Sequence, residues 1–268
     1  MKSMQLRNQR RAVTATIVAA LLSAAPAPAA ECTAASGHQR VAVLELYTSE
    51  GCDSCPPADQ WVSALPARKF GGDRVIPLAF HVDYWNQLGW NDPFSQAAFS
   101  ARQHLHSNRR GVAFVVTPQL LLNGQDYRRG AGYDDFASRL KSINQSTPRA
   151  DIRIKLNRSE SMLVSAVDVK VPGDAAQRRA QVFIALYEMN LVTAVAAGEN
   201  KGKTLRHDFV VRSLVGPLAL DDNGNAMHVD RFDLGRNLKP QDINLAVFVQ
   251  HPQSGDILQA LTARCEQP

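Results

Sequence analysis

Residues 41–47, VAVLELY, are apolar at six of seven positions. Successive side chains of a strand point to opposite faces, so a run that is apolar at consecutive positions needs cover on both. That is the pattern of a buried parallel strand, and it commits the chain to a layered fold. Gly51 breaks the run, and Cys52-Asp53-Ser54-Cys55 follows. Pro56-Pro57 then stands where the first turn of a helix tolerates proline. Ala58, Trp61, Val62 and Leu65 supply one apolar face for that helix.

The same grammar continues to about residue 146. A second apolar run at 75–82 predicts another buried strand. Asp92-Pro93 predicts an N-cap with proline at the first helical position. The helix it opens runs to about His106 with Phe94, Ala97, Ala98, Ala101 and Leu105 on one side. Residues 112–116 lead into Thr117-Pro118, a short strand at 119–122, an Asn123-Gly124 hairpin turn and a polar return strand to 129. A last helix covers roughly 133–142. The predicted order is β-α-β-α-β-β-α, an α/β arrangement over residues 31–147.

Residues 144–149 are polar and contain Pro148, which suits a boundary. Beyond it, short alternating or apolar runs at 152–156, 162–171, 182–187, 209–215, 243–249 and 257–261 are separated by turn-rich pieces. This predicts a mainly antiparallel β-sandwich-like domain over 148–268.

Residues 1–30 read as a secretory signal peptide. Lys2, Arg7, Arg10 and Arg11 precede an apolar stretch at 12–25 too short to span a bilayer, and small residues near 27–30 offer cleavage sites. The expected destination is the periplasm or the extracellular space. Removing those four positive charges takes the net charge from +5 to +1. Neither a nucleic-acid partner nor a membrane span is expected in the mature chain.

Four cysteines, Cys32, Cys52, Cys55 and Cys265, would meet an oxidising compartment after export. Cys52 and Cys55 form a close pair between a strand and a helix. The helix end favours a thiolate at Cys52, leaving Cys55 to resolve a mixed disulfide. Asp53 opposes that thiolate, which predicts a couple toward the reducing end. Two other readings stay open at this point. The pair is half of many zinc or soft-metal sites, with His81 as a further ligand, but it lacks a second pair at suitable spacing. It would also serve as an inert structural disulfide in a non-catalytic binding module. Cys32 and Cys265 are most simply a disulfide joining the two ends of the mature chain.

The strand at 41–47, the Cys52-Asp53-Ser54-Cys55-Pro56 motif, Thr117-Pro118, Asn123-Gly124 and the closing helix together resemble the thioredoxin superfamily. More narrowly, residues 45–59 (ELYTSEGCDSCPPAD) with 79–85 (AFHVDYW) resemble the secreted thioredoxin-like family labelled domain of unknown function 1223. The resemblance implies a thioredoxin-like first domain with Cys52 as nucleophile, Cys55 as resolving thiol and Pro118, after Thr117, as a cis proline. It implies no cofactor, and as partners protein thiols or disulfides with an unidentified redox partner. One position departs from the superfamily pattern. Where thioredoxins keep a buried acid, this chain has Leu46, and the adjacent Glu45 should face the other side of the strand.

His81, Asp83 and Trp85, with Trp90, follow the second buried strand. In a parallel sheet they reach the edge that carries the cysteine turn, as site-edge groups. Residues 198–212 combine two glycines with mixed charges and read as a loop feeding a strand, with no role assigned. The expected activity is thiol-disulfide exchange.

Overall fold

The computed structural model describes residues 30–127, 135–159, 161–175, 177–235 and 238–265. Residues 1–29 of the signal peptide expected over 1–30 lie outside the described residues, as do the end of the expected return strand beyond 127 and the start of the helix expected from 133. Strand β1 (Ala30–Ala35) precedes the apolar run, which becomes β2 (Ala42–Thr48) and is buried at all seven positions. Helix α1 (Pro56–Ser63) follows the cysteine turn, with Cys55 as its N-cap and prolines at its first two positions. Then come β3 (Val75–His81), α2 (Ala97–Arg109), β4 (Gln119–Leu122), β5 (Gln125–Asp126) and α3 (Phe136–Gln145).

Strands make up the rest: β6 (Asp151–Arg158), β7 (Met162–Lys170), β8 (Gln181–Glu188), β9 (Leu191–Ala194), β10 (Thr204–His207), β11 (Val210–Ala219), β12 (Asn225–Asp233), β13 (Ile243–Gln250) and β14 (Ile257–Ala263).

The expected fold class, an α/β thioredoxin-like domain followed by a mainly antiparallel β-sandwich-like domain, is overturned. Among the described residues three α-helices stand against fourteen strands, so the protein is mainly β. Nor do the strands separate into a first and a second sheet along the chain. One eight-stranded mixed sheet runs β14-β13-β8-β11-β3-β2-β4-β5, and a four-stranded antiparallel sheet runs β1-β6-β7-β12. The physical reason lies in β3. It is buried at every position and needs a neighbour on both edges. β2 takes one edge in parallel, and β11, from far along the chain, takes the other, with Val210 opposite Ala79. An apolar run announces burial, but it does not name its partner.

The large sheet carries a core on each face. On one side Phe80, Phe183 and Phe248 pack with Phe99 of α2, in a cluster that also holds Leu44 and Leu46, on the reverse face of β2, with Trp61 of α1 and Phe136 of α3. On the other, Ile184, Leu186, Val247 and Val249 meet Ile154, Leu156, Val167 and Val169 of the four-stranded sheet. β6 and β7 accordingly alternate buried with exposed, whereas β8 and β13, between two cores, are buried almost throughout.

Helix α2 departs from its expected face. Its chain starts at Ala97, not at Asp92. Ala97, Ala98, Ala101 and Leu105 are exposed, while Phe99, Arg102, Gln103 and His106 face inward. The inward face is polar because Glu45 is fully buried on β2 and needs a counter-charge. Arg102 grips both Glu45 carboxylate oxygens at 2.8 and 2.9 Å, and the Tyr47 hydroxyl donates to Glu45 Oε2 at 2.8 Å. The Arg102 guanidinium also lies over the rings of Phe80, Phe183 and Phe248. Burial disfavours the Glu45 charge, but Arg102 and His106 outweigh it and hold the carboxyl well below the usual range.

Cys32 on β1 is bonded to Cys265 just beyond β14, closing a sequence separation of 233 residues. In the chain-entropy view a loop this long stabilises by roughly 5 kcal/mol, less any strain. Replacing both cysteines by alanine should therefore lower unfolding stability by about 3–5 kcal/mol, measured as a drop in the urea midpoint. An unchanged midpoint contradicts this assignment.

Candidate functional site

The cysteine turn sits where β2 ends. Thr48 is the last residue of the strand, and 49–55 bend the chain into α1. Cys52 and Cys55 are bonded to each other with their Cα atoms 5.5 Å apart. Both are 0% exposed, whereas Asp53 and Ser54 between them are exposed. The turn shows solvent its middle, not its sulfurs. Ser54 Oγ lies 3.3 Å from Cys52 Sγ.

The helix end offers fewer donors than its position suggests. Pro56 and Pro57 have no N–H, and the Ala58 and Asp59 amides both bond the Cys55 carbonyl. Thiolate stabilisation by free amides is correspondingly weak.

Beneath the turn lies a buried cluster of acids and imidazoles. Glu50, Asp59, His81, Asp92 and His207 are each less than a tenth exposed. His81, at the end of β3, donates Nδ1–H to Asp92 Oδ2 at 2.7 Å. Asp92 also accepts the Glu50 amide at 2.9 Å and the Phe94 amide at 2.9 Å, which is why it caps no helix. Glu50 Oε2 accepts from Trp90 Nε1 at 2.8 Å, and its Oε1 lies 3.1 Å from His207 Nε2 on β10. The two imidazoles stand 5.0 Å apart, centre to centre. Asp59, one helical turn beyond Cys55, accepts from the Thr48 hydroxyl at 3.0 Å.

These surroundings set the charges. Burial pushes the Asp59 carboxyl up, against the opposing pull of His207, His81 and the Thr48 hydroxyl. For His81, burial works against the imidazolium, but Asp92 overcomes it and raises the pKa. For Asp92, burial is in turn outweighed by His81 and by the two amides, and its pKa falls.

The hairpin of β9 and β10 forms a two-stranded sheet of its own and comes down on the cysteine turn. Asn200, fully buried, donates Nδ2–H to the carbonyls of Glu50 at 2.9 Å and Cys52 at 2.8 Å. Lys203 Nζ donates to its Oδ1 at 2.9 Å. Glu199 Oε2 accepts the Asp53 amide at 3.0 Å. Gly198 has φ +72°, and a Cβ there would stand 3.1 Å from Trp90 Cβ and 3.6 Å from Gly51 Cα, so only glycine allows this approach.

The other sequence candidates fall around this centre. The Thr117–Pro118 peptide is cis. Thr117 Oγ1 accepts from Trp85 Nε1 at 2.7 Å, and Trp85 Cβ lies close to where a side chain on Gly51 would be. Asp83 is tied to Ser100 on α2 rather than to the cysteines. Pro118 and Ala58 help line a groove of about 440 Å³ with Phe114, Val116 and Tyr127. Residues 112–116 are irregular, and Phe114 is exposed. Among the described residues no group of three or more His, Cys, Asp or Glu is arranged to hold a metal ion. His81, the soft-metal candidate, has its Nδ1 committed to Asp92.

Sequence reasoning gave no chemical role to Glu50, Asp59 or His207, and took Asp92 for a helix cap. Two signals were available. Asp59 lies four residues after Cys55, the spacing of one helical turn, and Glu50 precedes the Gly-Cys pair.

The chain matches the family described as "Protein of unknown function (DUF1223)" over residues 43–250. A structure from Agrobacterium tumefaciens, solved by a structural genomics consortium, superposes with TM-score 0.61 at 24% identity. It covers 87% of this chain and 98% of that one. HBP35 of Porphyromonas gingivalis superposes with TM-score 0.66 at 16% identity, covering 85% of this chain and 76% of that one. At these identities the likeness speaks to fold and not to activity. No curated protein matches.

The raised His81 pKa has a consequence for stability. Its stabilising charge is fully present below about pH 6.5, the ordinary histidine value, and is lost as pH rises through the folded value. Asp92, with a lowered pKa, contributes above about pH 3.9 and loses that contribution as pH falls through its folded value. NMR titration should find the His81 imidazole above about 6.5 in the native protein and below it in Asp92→Asn. Equal values in the two proteins contradict the pairing.

Proposed function

We propose that this chain, which belongs to the family described as protein of unknown function (DUF1223), is an exported thiol-disulfide oxidoreductase working through Cys52 and Cys55. The observation that carries the reading is the Cys52–Cys55 disulfide, closed across three residues at a strand-to-helix turn and set over a buried acid–imidazole cluster. A purely structural cross-link over so short a loop does little to restrain an unfolded chain. The Cys32–Cys265 bond fills the structural role, and a second bond beside buried titratable groups suits exchange better.

The exchange is written as follows. A thiolate of a protein substrate attacks Cys52 Sγ, forming the mixed disulfide, and the Cys52–Cys55 bond breaks. Its electron pair leaves on Cys55 Sγ, which takes up a proton. A second substrate thiolate then attacks the substrate sulfur of the mixed disulfide. Cys52 leaves as a thiolate and is protonated, so the substrate is oxidised by two electrons and the pair reduced. The reverse sequence reduces a substrate disulfide. Asp59, buried one turn beyond Cys55 with a pKa pushed up by burial, is the acid suited to exchange a proton with the Cys55 thiol. It occupies the role left vacant by Leu46. By resemblance of the motif, Thr117 and Pro118 border the substrate path, and the groove lined by Phe114 and Val116 offers an apolar bed for a polypeptide.

Export is part of the proposal. Two disulfides suit an oxidising compartment, and among the described residues no helix is long and apolar enough to cross a membrane.

With oxidised glutathione as probe, reduced Cys55→Ser should accumulate a stable adduct on Cys52, because the resolving thiol is gone. The reduced native protein should instead release glutathione and re-form its own disulfide. Mass spectrometry distinguishes the two. If Cys55→Ser gains no adduct, or the native protein retains one, the reading fails.

A further inference from the structure

We infer that Glu199 is a positioning residue for the cysteine couple, holding the Asp53 amide away from Cys52 and placing a negative charge beside it. This deepens the redox reading and rests on it. At the start of a helix a free amide beside the attacking cysteine helps stabilise its thiolate, and the Asp53 amide is the next one along the chain from Cys52. Here that amide is engaged 3.0 Å from the Glu199 carboxylate, which comes from the turn between β9 and β10, nearly 150 residues along the chain. The placement is fixed by Asn200, the neighbouring residue, whose buried side chain binds the backbone on both sides of Gly51.

The other local donors are already sparse. Pro56 and Pro57 carry no N–H, and the Ala58 and Asp59 amides are spent on the Cys55 carbonyl. Once the disulfide opens, the Cys52 thiolate forms among carboxylates. Asp53 neighbours Cys52 in the same turn, Glu199 binds the Asp53 amide from the hairpin, and Glu50 and Asp59 lie buried in the cluster beneath the turn. The opposing groups are the Lys203 ammonium, bound to Asn200 Oδ1, and the His81 imidazole, bound to Asp92, with the His207 ring beside Glu50. Glu199 is exposed, so its substitution removes charge at the turn without opening the core.

The experiment measures the Cys52 thiolate pKa in the reduced full-length protein, from the pH dependence of iodoacetamide alkylation. Three single variants accompany it: Glu199→Gln, Glu199→Ala and Glu199→Asp. Gln keeps an acceptor for the Asp53 amide and loses only the charge. At a pH below the pKa it should raise the thiolate population about threefold, the effect of one screened charge several Å away. Ala should raise it further by freeing the amide, and Asp should restore the native value. The Gln effect should shrink at 1 M salt, because exposed charges are screened there. At pH values above the thiol pKa, the couple of the Gln variant should be the more oxidising, about 30 mV for each tenfold change in the equilibrium constant. An unchanged pKa in both Gln and Ala overturns the inference, as does a Gln effect that salt leaves intact. A native pair that never exchanges defeats the redox reading itself, which is a different failure.

Discussion

Strand β3 is paired along one edge by β2 and met on the other by β11 at Ala79, and most of the architecture follows from that. A strand buried at every position must satisfy its backbone on both sides. β2 supplies one side and β11 the other. The β9–β10 hairpin immediately precedes β11 in the chain. Once the start of β11 is laid beside Ala79, the hairpin is brought to the end of β3, where His81 stands. That is also the end where the chain leaves β2 for the cysteine turn. The clamp of Asn200 and Glu199 on that turn is thus a product of strand pairing. His207 arrives beside Glu50 for the same reason.

Two buried charge systems flank this junction and do different things. Glu45, Arg102 and His106 form a closed structural unit on one face, with three aromatic rings around the guanidinium. Phe183 and Phe248 come from β8 and β13, so the unit ties the early strands to the late ones. The second system, Glu50, Asp59, His81, Asp92 and His207, lies under the disulfide. His81 Nε2 and His207 Nδ1 have no hydrogen-bond partner among the described residues. Spare ring nitrogens of this kind can accept and pass protons, and His106 in the first system has them as well. The second system, not the first, is taken as chemical because it lies under the disulfide.

Much of the candidate site was legible in the sequence because its signals are local. The cysteine spacing, Gly51, the double proline and Thr117-Pro118 can each be read within a few residues. The strands were legible as burial patterns, β7 by its alternation and β2 by its unbroken run. The fold class was misread because pairing is not local: nothing in residues 75–81 specifies residue 210 as a neighbour. The face of α2 was misread for a related reason. Five apolar positions pointed one way, but the buried charge on Glu45 pulled Arg102 and His106 inward. Asn200 and Glu199 were visible only as a charged turn, since their value depends on a contact made across the whole chain.

The account stands on the claim that Cys52 and Cys55 form a working redox couple. The most direct test is the equilibrium reduction potential of that pair in the full-length protein, with Cys52→Ser as control. The account predicts a reversible couple on the reducing side of the range between roughly −120 and −270 mV, because the turn is poor in donors and rich in carboxylates. A disulfide that stays closed across all thiol buffers short of unfolding would contradict it.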